Sequence, residues 1–385
     1  MPFGDFQFEL YLRGLAGQTP ELPMTMAGIE AAALARMDPR SAGYVAGGAG
    51  TEQTMRVNRE AFDRWRIVPR MLRGVTERNL STTVCGTPMP APVLLAPIGV
   101  LGIVHPDAER AVARAAAATG VPMVLSTAAS TSMEDVAAEA GDAPRWYQLY
   151  WPTDRTVAAS LVHRAEAAGY QAIVVTVDTW TLGWRPRDLD QAYLPFLTTE
   201  GLANYLSDPA FRAGLAVPPE QDPQAAVLHW VGMFGDAALT WDDLAWLAGQ
   251  TELPVLLKGI CHPDDARAAA DAGVAGIVVS NHGGRQVDGA AGALDCLPAV
   301  VAAANGLPVL FDSGVRSGAD AFRALALGAR AVLVGRPYVY GLALAGTAGV
   351  THVLRCLLAE LDLTLALSGH RSLAELNPDV LTPAP

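Results

Sequence analysis

Positive charge is in short supply in this sequence: 27 Lys and Arg face 39 Asp and Glu, a formal net charge of -12. Nucleic acid and anionic membrane both reward basic surfaces, so neither is expected as a partner. Any anionic ligand must be held by a local cluster of cations. Charge of either sign is sparse at 17% of residues, while 51% are hydrophobic. That balance supports a large core and argues against disorder. Cysteine is rare too. Cys85, Cys261, Cys296 and Cys356 lie far apart and form no C-x-x-C pair, which predicts free thiols in a reducing compartment. No H-x-x-x-H or clustered carboxylate pattern points to a metal. Long apolar runs are missing: Val93 to Val104 is broken by Pro97, Gly99 and Gly102 and is too short to span a membrane. The N-terminus, Met1-Pro2-Phe3-Gly4-Asp5, is acidic and mixed, unlike a signal peptide. A soluble cytoplasmic protein is the expectation.

What is present begins with rhythm. From residue 91, short apolar strands alternate with Ala-rich helical stretches. Strands are expected at Val93–Ala96, Val121–Leu125, Trp146–Leu149, Ala172–Val177, Pro254–Leu257, Gly276–Val279, Pro308–Phe311 and Ala331–Val334. Asp107, Asp154, His262 and Ser317 stand at helix starts, and Gly120, Gly169, Gly273 and Gly328 at helix ends, as caps and stops should. Eight such units predict an α/β fold of the (β/α)8 TIM barrel type. A doubly wound sheet would carry G-x-G-x-x-G after its first strand, and Pro97-Ile98-Gly99-Val100-Leu101-Gly102 lacks that spacing. Residues 1–90 read as an irregular, partly helical cap, with a helix over Thr25–Met37 and a glycine-rich loop at Gly43–Gly50. The barrel covers 91–345, and a C-terminal helix and tail 346–385. One connection, roughly sixty residues after Asp178, is far too long for a turn and reads as a lid, about 184–238.

Barrel enzymes place their chemistry at the C-terminal strand ends. Those ends carry Pro97-Ile98-Gly99, Ser126, Gln148 with Tyr150, Thr176 with Asp178, Lys258, His282 with Arg285, Asp312-Gly314-Arg316, and Gly335-Arg336. The stretch Ser280-Asn281-His282-Gly283-Gly284-Arg285-Gln286 pairs an imidazole that takes protons with a guanidinium that grips anions two-pronged. A lone histidine is more often a hydrogen-bonded core residue. At a strand end beside Arg285, a catalytic role is the better reading. Asp178 could be a turn cap or the charge partner of an imidazolium. Lys258 emerges from a buried strand and needs an anionic partner. The glycines and arginines of the last two ends suit a phosphate.

Taken together, these motifs resemble the FMN-dependent L-2-hydroxy acid oxidase/dehydrogenase family over essentially the whole chain, 1–385, as a single domain. Within it, Tyr44-Val45-Ala46-Gly47-Gly48, Ala96-Pro97-Ile98-Gly99-Val100, Asp178-Thr179-Trp180, Gly183-Trp184-Arg185-Pro186-Arg187-Asp188-Leu189 and Ala293-Leu294-Asp295-Cys296-Leu297-Pro298 are most similar to lactate 2-monooxygenase. The resemblance implies FMN, O2 and a small 2-hydroxy acid as ligands, and a homo-oligomer, tetramer or octamer. It implies His282 as base, Asp178 as its charge partner, and Arg285 with Tyr44 on the substrate carboxylate. Tyr150 would hydrogen-bond the substrate, and Arg185 would lie near the mouth over it. Lys258 would stabilise negative charge on the reduced flavin. Ser126, Gln148, Thr176, Pro97 and Ile98 would contact the ring; Gly314, Arg316, Gly335 and Arg336 would bind the phosphate, and Asp312 would also be a cofactor-binding residue. Gly99 stands where the oxidases carry alanine, so less bulk is expected beside the flavin. Ala128 stands where glycolate oxidase has a tryptophan, so a C2 methyl or more would fit. The implied outcome is L-lactate and O2 to acetate, CO2 and water. The alternatives are a peroxide-releasing oxidase, a dehydrogenase with another acceptor and, remotely, an FMN-dependent isomerase barrel.

Overall fold

A parallel strand covered on both faces must be apolar at every position, which is what the short runs between residues 93 and 334 supply. In the computed structural model, which describes residues 2–384, eight such strands pair in parallel and close into a barrel. They are β1 (Val93–Leu95), β2 (Met123–Ser126), β3 (Arg145–Leu149), β4 (Ile173–Thr176), β5 (Val255–Lys258), β6 (Gly276–Val279), β7 (Val309–Phe311) and β8 (Ala331–Val334). β8 returns to β1, with Val334 opposite Leu95. The helices between and after them are α1 (Ala108–Thr119), α2 (Met133–Ala140), α3 (Arg155–Ala167), α4 (Asp243–Ala248), α5 (Pro263–Asp271), α6 (Ala293–Ala303), α7 (Gly318–Ala326) and α8 (Arg336–Leu367). Asp154, His262 and Ser317 cap their helices by accepting backbone N–H groups. Asp107 does not cap; its backbone is already helical, and its carboxylate pairs with Arg114 at 2.5 Å.

The barrel interior holds one apolar residue from each strand: Leu94, Val124, Trp146, Val174, Leu256, Val278, Leu310 and Leu333. Side chains alternate along a strand, so the residue two positions on faces the same way. Those next positions are Ala96, Ser126, Gln148, Thr176, Lys258, Ser280, Asp312 and Gly335. An apolar layer is thus topped by a mostly polar ring, which forms the floor of the site.

Three departures from expectation shape that site. Tyr44 lies on a helix, Pro39–Ala46, so the glycine-rich loop shrinks to Gly47–Gly50. The segment after β4 is a packed helical layer and no open lid. Its prolines Pro186, Pro195, Pro209 and Pro223 stand in the first turns of helices, where the missing N–H costs nothing. Its aromatics form a core of their own: Phe196 stacks on Trp230 at 4.8 Å, and Trp230 lies 4.9 Å from Phe234. Arg164 of α3 ties the layer down through the buried Asp208 at 2.9 Å. Third, α8 is long and apolar enough to cross a membrane by length and composition. It is broken at Ala345–Gly346 and packs on α1, α7 and the helix Met26–Arg36.

Candidate active site

β6 ends at Val279, and the chain then turns within three residues. His282 sits at φ 59° and Gly283 at φ 64°. A left-handed histidine costs about 1–3 kcal/mol and persists only where its surroundings impose it. Here the His282 N–H donates to Ser280 Oγ at 3.1 Å and the Gly283 N–H to Ser313 Oγ at 3.0 Å. Ser313, itself at φ 80°, donates its hydroxyl to Asp312 Oδ1 at 2.8 Å.

The turn aims the imidazole. His282 Nδ1 lies 2.8 Å from Asp178 Oδ1, and the Thr179 hydroxyl donates to that same oxygen at 2.8 Å. With Nδ1–H given to the carboxylate, Nε2 is left as an acceptor, 3.4 Å from the Tyr150 hydroxyl. Burial, only partly offset by Asp178, holds His282 below its ordinary pKa. Burial alone would raise Asp178, but the charges of His282 and Lys258 outweigh it and hold it at about 2. At neutral pH the pair is therefore a carboxylate beside a neutral imidazole, ready to accept one proton. Burial pushes Tyr150 up to about 12, so it stays a phenol. Burial also opposes charge on Lys258, but Asp312 at 3.3 Å and Asp178 more than restore it, and its Nζ donates to Ser280 Oγ at 3.0 Å. Lys258 is the only lysine among the 27 basic residues.

Cations fill the other side of the cleft. Arg185, Arg285, Arg316 and Arg336 all line it, with Tyr44, Pro97, Ile98, Gly99, Tyr150, Lys258, His282, Asp312, Gly314 and Gly335. Burial, then Arg285, pulls Arg185 down to about 10; burial, then Arg285 and Arg316, pulls Arg336 to about 9. Burial lowers Arg316 as well. Mutual repulsion in a dry site is relieved by anions.

The structure places most of the expected residues at this cleft, with differences. Asp178 lines a neighbouring cavity instead and reaches the cleft through His282, and Thr176, in the ring below, borders that cavity too. Ser126 and Gln148 lie in the ring below, joined by a 2.9 Å hydrogen bond. Arg185 is not at the mouth: it is 7% exposed and donates to the Arg285 carbonyl and Gln286 Oε1. Arg336 spends three donors on the carbonyls of Val45, Gly283 and Gly47, so it clasps the Gly47 loop as well as lining the cleft. Arg285 grips the same loop at the Tyr44 and Gly47 carbonyls, its guanidinium 4.9 Å over the Tyr44 ring. The Arg316 guanidinium donates only to the carbonyl of its neighbour, Val315, at 3.2 Å among the described residues. Gly99 leaves no spare room: a Cβ there would lie 2.5 Å from the Ala128 carbonyl oxygen. The loop is already packed to contact, because Val100 N–H donates to that carbonyl at 2.9 Å.

Some contributors escaped the sequence reading. Thr179 follows Asp178 directly, a position that invites a local hydroxyl–carboxylate bond. Leu182, Phe196 and Phe234 roof the cleft from the helical layer; no local pattern marks them. Asp288 points away from the cleft and accepts the Thr51 and Thr54 N–H groups, pinning the start of the helix Gln53–Asp63.

A model of the FMN-dependent dehydrogenase family matches residues 33–383. The chain belongs to that family. It is 44% identical over 386 residues to the FMN-dependent alpha-hydroxy acid dehydrogenase qulF of Penicillium citrinum, covering 98% of this chain and 96% of that one. It is 43% identical over 366 residues to an L-lactate oxidase of Lysinibacillus sphaericus, covering 95% and 94%. The crystal structure of a mandelate oxidase superposes with a TM-score of 0.83 at 39% identity, over 94% of this chain and 98% of that one. Family membership makes this an FMN-dependent oxidoreductase of alpha-hydroxy acids.

The residues present fit FMN. Gln148 Nε2 is buried and has no partner among the described residues, a donor held for a ring acceptor. Lys258, in the same ring of side chains, supplies fixed positive charge. Arg316 has donors to spare, and Gly314 at φ 106° lets the backbone close on a phosphate.

Proposed function

We propose that the protein oxidises L-lactate with O2 and retains the pyruvate, so that acetate, CO2 and water leave the site. The observation that carries this reading is one cleft containing a neutral base, an ionised partner and buried arginines under an apolar roof. When bound, FMN supplies the two-electron acceptor that the chain itself lacks. Arg285 and Arg185 hold the substrate carboxylate, Arg285 with a planar fork. Tyr150, protonated, donates to the substrate oxygen. His282 Nε2 takes the hydroxyl proton, and Asp178 stabilises the imidazolium that forms. Lys258 balances the negative charge delivered with the electrons. Ala128 leaves room for a methyl at C2. Leu182, Phe196 and Phe234 keep pyruvate beside the peroxide formed from O2, and the two react to acetate, CO2 and water. The protein acts in the cytoplasm as a homo-oligomer in this reading.

Gly99 favours a second reading. Its loop is packed against Ala128, so the missing Cβ adds no open space there, and the similar L-lactate oxidase fits release of peroxide and free pyruvate. Aerobic turnover of L-lactate with acetate, pyruvate and peroxide all quantified separates the two. The expected result is acetate with little peroxide. Stoichiometric peroxide with free pyruvate would sink the monooxygenase reading and leave the oxidase. Anaerobically, the yellow protein should bleach with L-lactate under either reading.

A further inference from the structure

Gln286 follows Arg285 directly, just past the turn that presents His282, yet the oxidation of a hydroxy acid asks nothing of its side chain. A primary amide has two acceptor positions on oxygen and two N–H groups on nitrogen, and here all four are used. Oε1 accepts Arg185 Nη2 at 2.9 Å and the Gly183 N–H at 3.3 Å. Nε2 donates to the carbonyls of Asp178 at 2.8 Å and Thr181 at 2.9 Å. Two of these partners can only donate and two can only accept, so they fix which way round the amide lies. All four belong to one stretch of chain, Asp178 to Arg185, which follows β4. That stretch starts with the charge partner of the base and ends with an arginine of the clamp.

Backbone packing binds the same two segments. A Cβ on Gly183 would lie 2.5 Å from the Arg285 carbonyl oxygen and 2.9 Å from Gln286 Cα, so glycine is what lets the stretch lie flat on the turn. Arg185 Nε donates to that same Arg285 carbonyl at 3.1 Å. With Nε and Nη2 spent, Nη1 is the Arg185 nitrogen left without a partner among the described residues. At the other end of the stretch, Asp178 Oδ1 lies 2.8 Å from His282 Nδ1. One neutral amide therefore sets both the place of the carboxylate beside the base and the direction of the guanidinium.

We propose that Gln286 is a positioning residue that couples the base to the carboxylate clamp, by holding Asp178 and Arg185 to one turn through a single side chain. It touches no reacting atom. It acts through Asp178 on proton transfer and through Arg185 on substrate binding. Loss of the amide therefore moves kcat and KM together. The proposal rests on the hydroxy acid reading of the cleft.

The test is Gln286→Met in the holoenzyme, which keeps the length of the side chain and removes all four bonds. Per bound flavin, KM for L-lactate should rise about tenfold and kcat should fall about tenfold. The Kd of oxalate, a carboxylate with no hydrogen to give up, should rise with KM. The groups facing His282 are Asp178, Lys258, Arg185 and the Tyr150 phenol. Drift of Asp178 lowers His282 and drift of Arg185 raises it, and Asp178 is the stronger influence. The acid limb of kcat/KM should thus move to lower pH. Gly183→Ala keeps the amide and every charge but lifts the stretch off the turn, and it should give the same changes. A lower thermal midpoint with wild-type kcat, KM and acid limb would overturn the proposal. So would a change in kcat alone or KM alone, or failure of both variants to fold. Wild-type flavin that L-lactate does not bleach anaerobically would overturn the hydroxy acid reading itself, and this proposal with it.

Discussion

His282 and Arg316 line the same cleft, yet folding partners one and leaves the other waiting. His282 has Asp178 on Nδ1, Tyr150 near Nε2 and Ser280 on its backbone. The Arg316 guanidinium donates to a single adjacent carbonyl, and burial lowers its pKa. The same contrast separates the two sides as wholes. On the base side, each charge has its partner: the Asp178 carboxylate has the His282 imidazole, and Lys258 has Asp312. On the cation side, Arg185, Arg285 and Arg336 donate to neutral acceptors, and burial and then the charge of Arg285 lower both Arg185 and Arg336. The base side is finished by folding alone; the cation side is finished by anions. Substitutions on the first should therefore hit the chemistry, and substitutions on the second should hit binding.

The largest effect belongs to His282→Gln, which keeps bulk and polarity but cannot take the proton. Turnover should fall about 10²–10⁴-fold, with flavin content and thermal midpoint little changed. Loss of flavin along with activity would blur the two sides and break the comparison. Asp178→Asn comes next, with an expected loss of about 10²-fold and a directional signature. The free enzyme needs neutral His282, whose pKa lies below the ordinary 6.5, so kcat/KM should fall off only below that pH. Asp178 raises His282, so its removal should move the acid limb to still lower pH. Stability carries the matching sign. A carboxyl held at about 2 against an ordinary 3.8 contributes about 2 kcal/mol. That term is complete above the unfolded pKa and is lost as pH falls through about 2, and Asp178→Asn should abolish it. Acid melts between pH 4 and 2 test this.

Arg285→Lys probes the cation side. The charge remains, but the fork and the grip on the Tyr44 and Gly47 carbonyls go. A loss of about 2 kcal/mol, or about 30-fold, in kcat/KM is expected, carried mainly by KM. A loss confined to kcat would place Arg285 with the base instead.

How much of this was legible before folding follows from how local each signal is. Strands β1–β8 announce themselves because burial on both faces demands unbroken apolar runs. The residues at their ends follow by counting, and so His282, Asp178, Lys258, Arg316 and Arg336 fall at one end of one barrel, whereas Arg185, expected near the mouth, is buried against Arg285 and Gln286. Lys258 carried a further signal that went unread, being the only lysine in the sequence. The packing of the segment after β4 was not legible. Prolines and polar residues look like loop when the first turns they occupy are not known. Nor was the close fit of Gly99. A glycine states that a Cβ is absent, but the Ala128 carbonyl that fills the space comes from the next strand end. Arg336 suits a phosphate as a cation that follows Gly335 at a strand end. That three carbonyls, two of them near residue 46, occupy it is a long-range fact.

Thr179→Val should give the smallest effect and the sharpest test. The threonine hydroxyl and His282 share Asp178 Oδ1, at 2.8 Å each. If the hydroxyl only packs, replacing it with an isosteric methyl should leave the pH profile untouched. If it competes with the imidazole for the carboxylate's charge, its removal concentrates that charge on His282. Turnover should then change by only about fivefold, the worth of roughly 1 kcal/mol for one hydrogen bond. The acid limb of kcat/KM should move up in pH, opposite in sign to the shift in Asp178→Asn. Two neighbouring substitutions with opposite shifts would establish that the base side is tuned by division of one carboxylate. Shifts in the same direction would mean that Thr179 merely holds Asp178 in place.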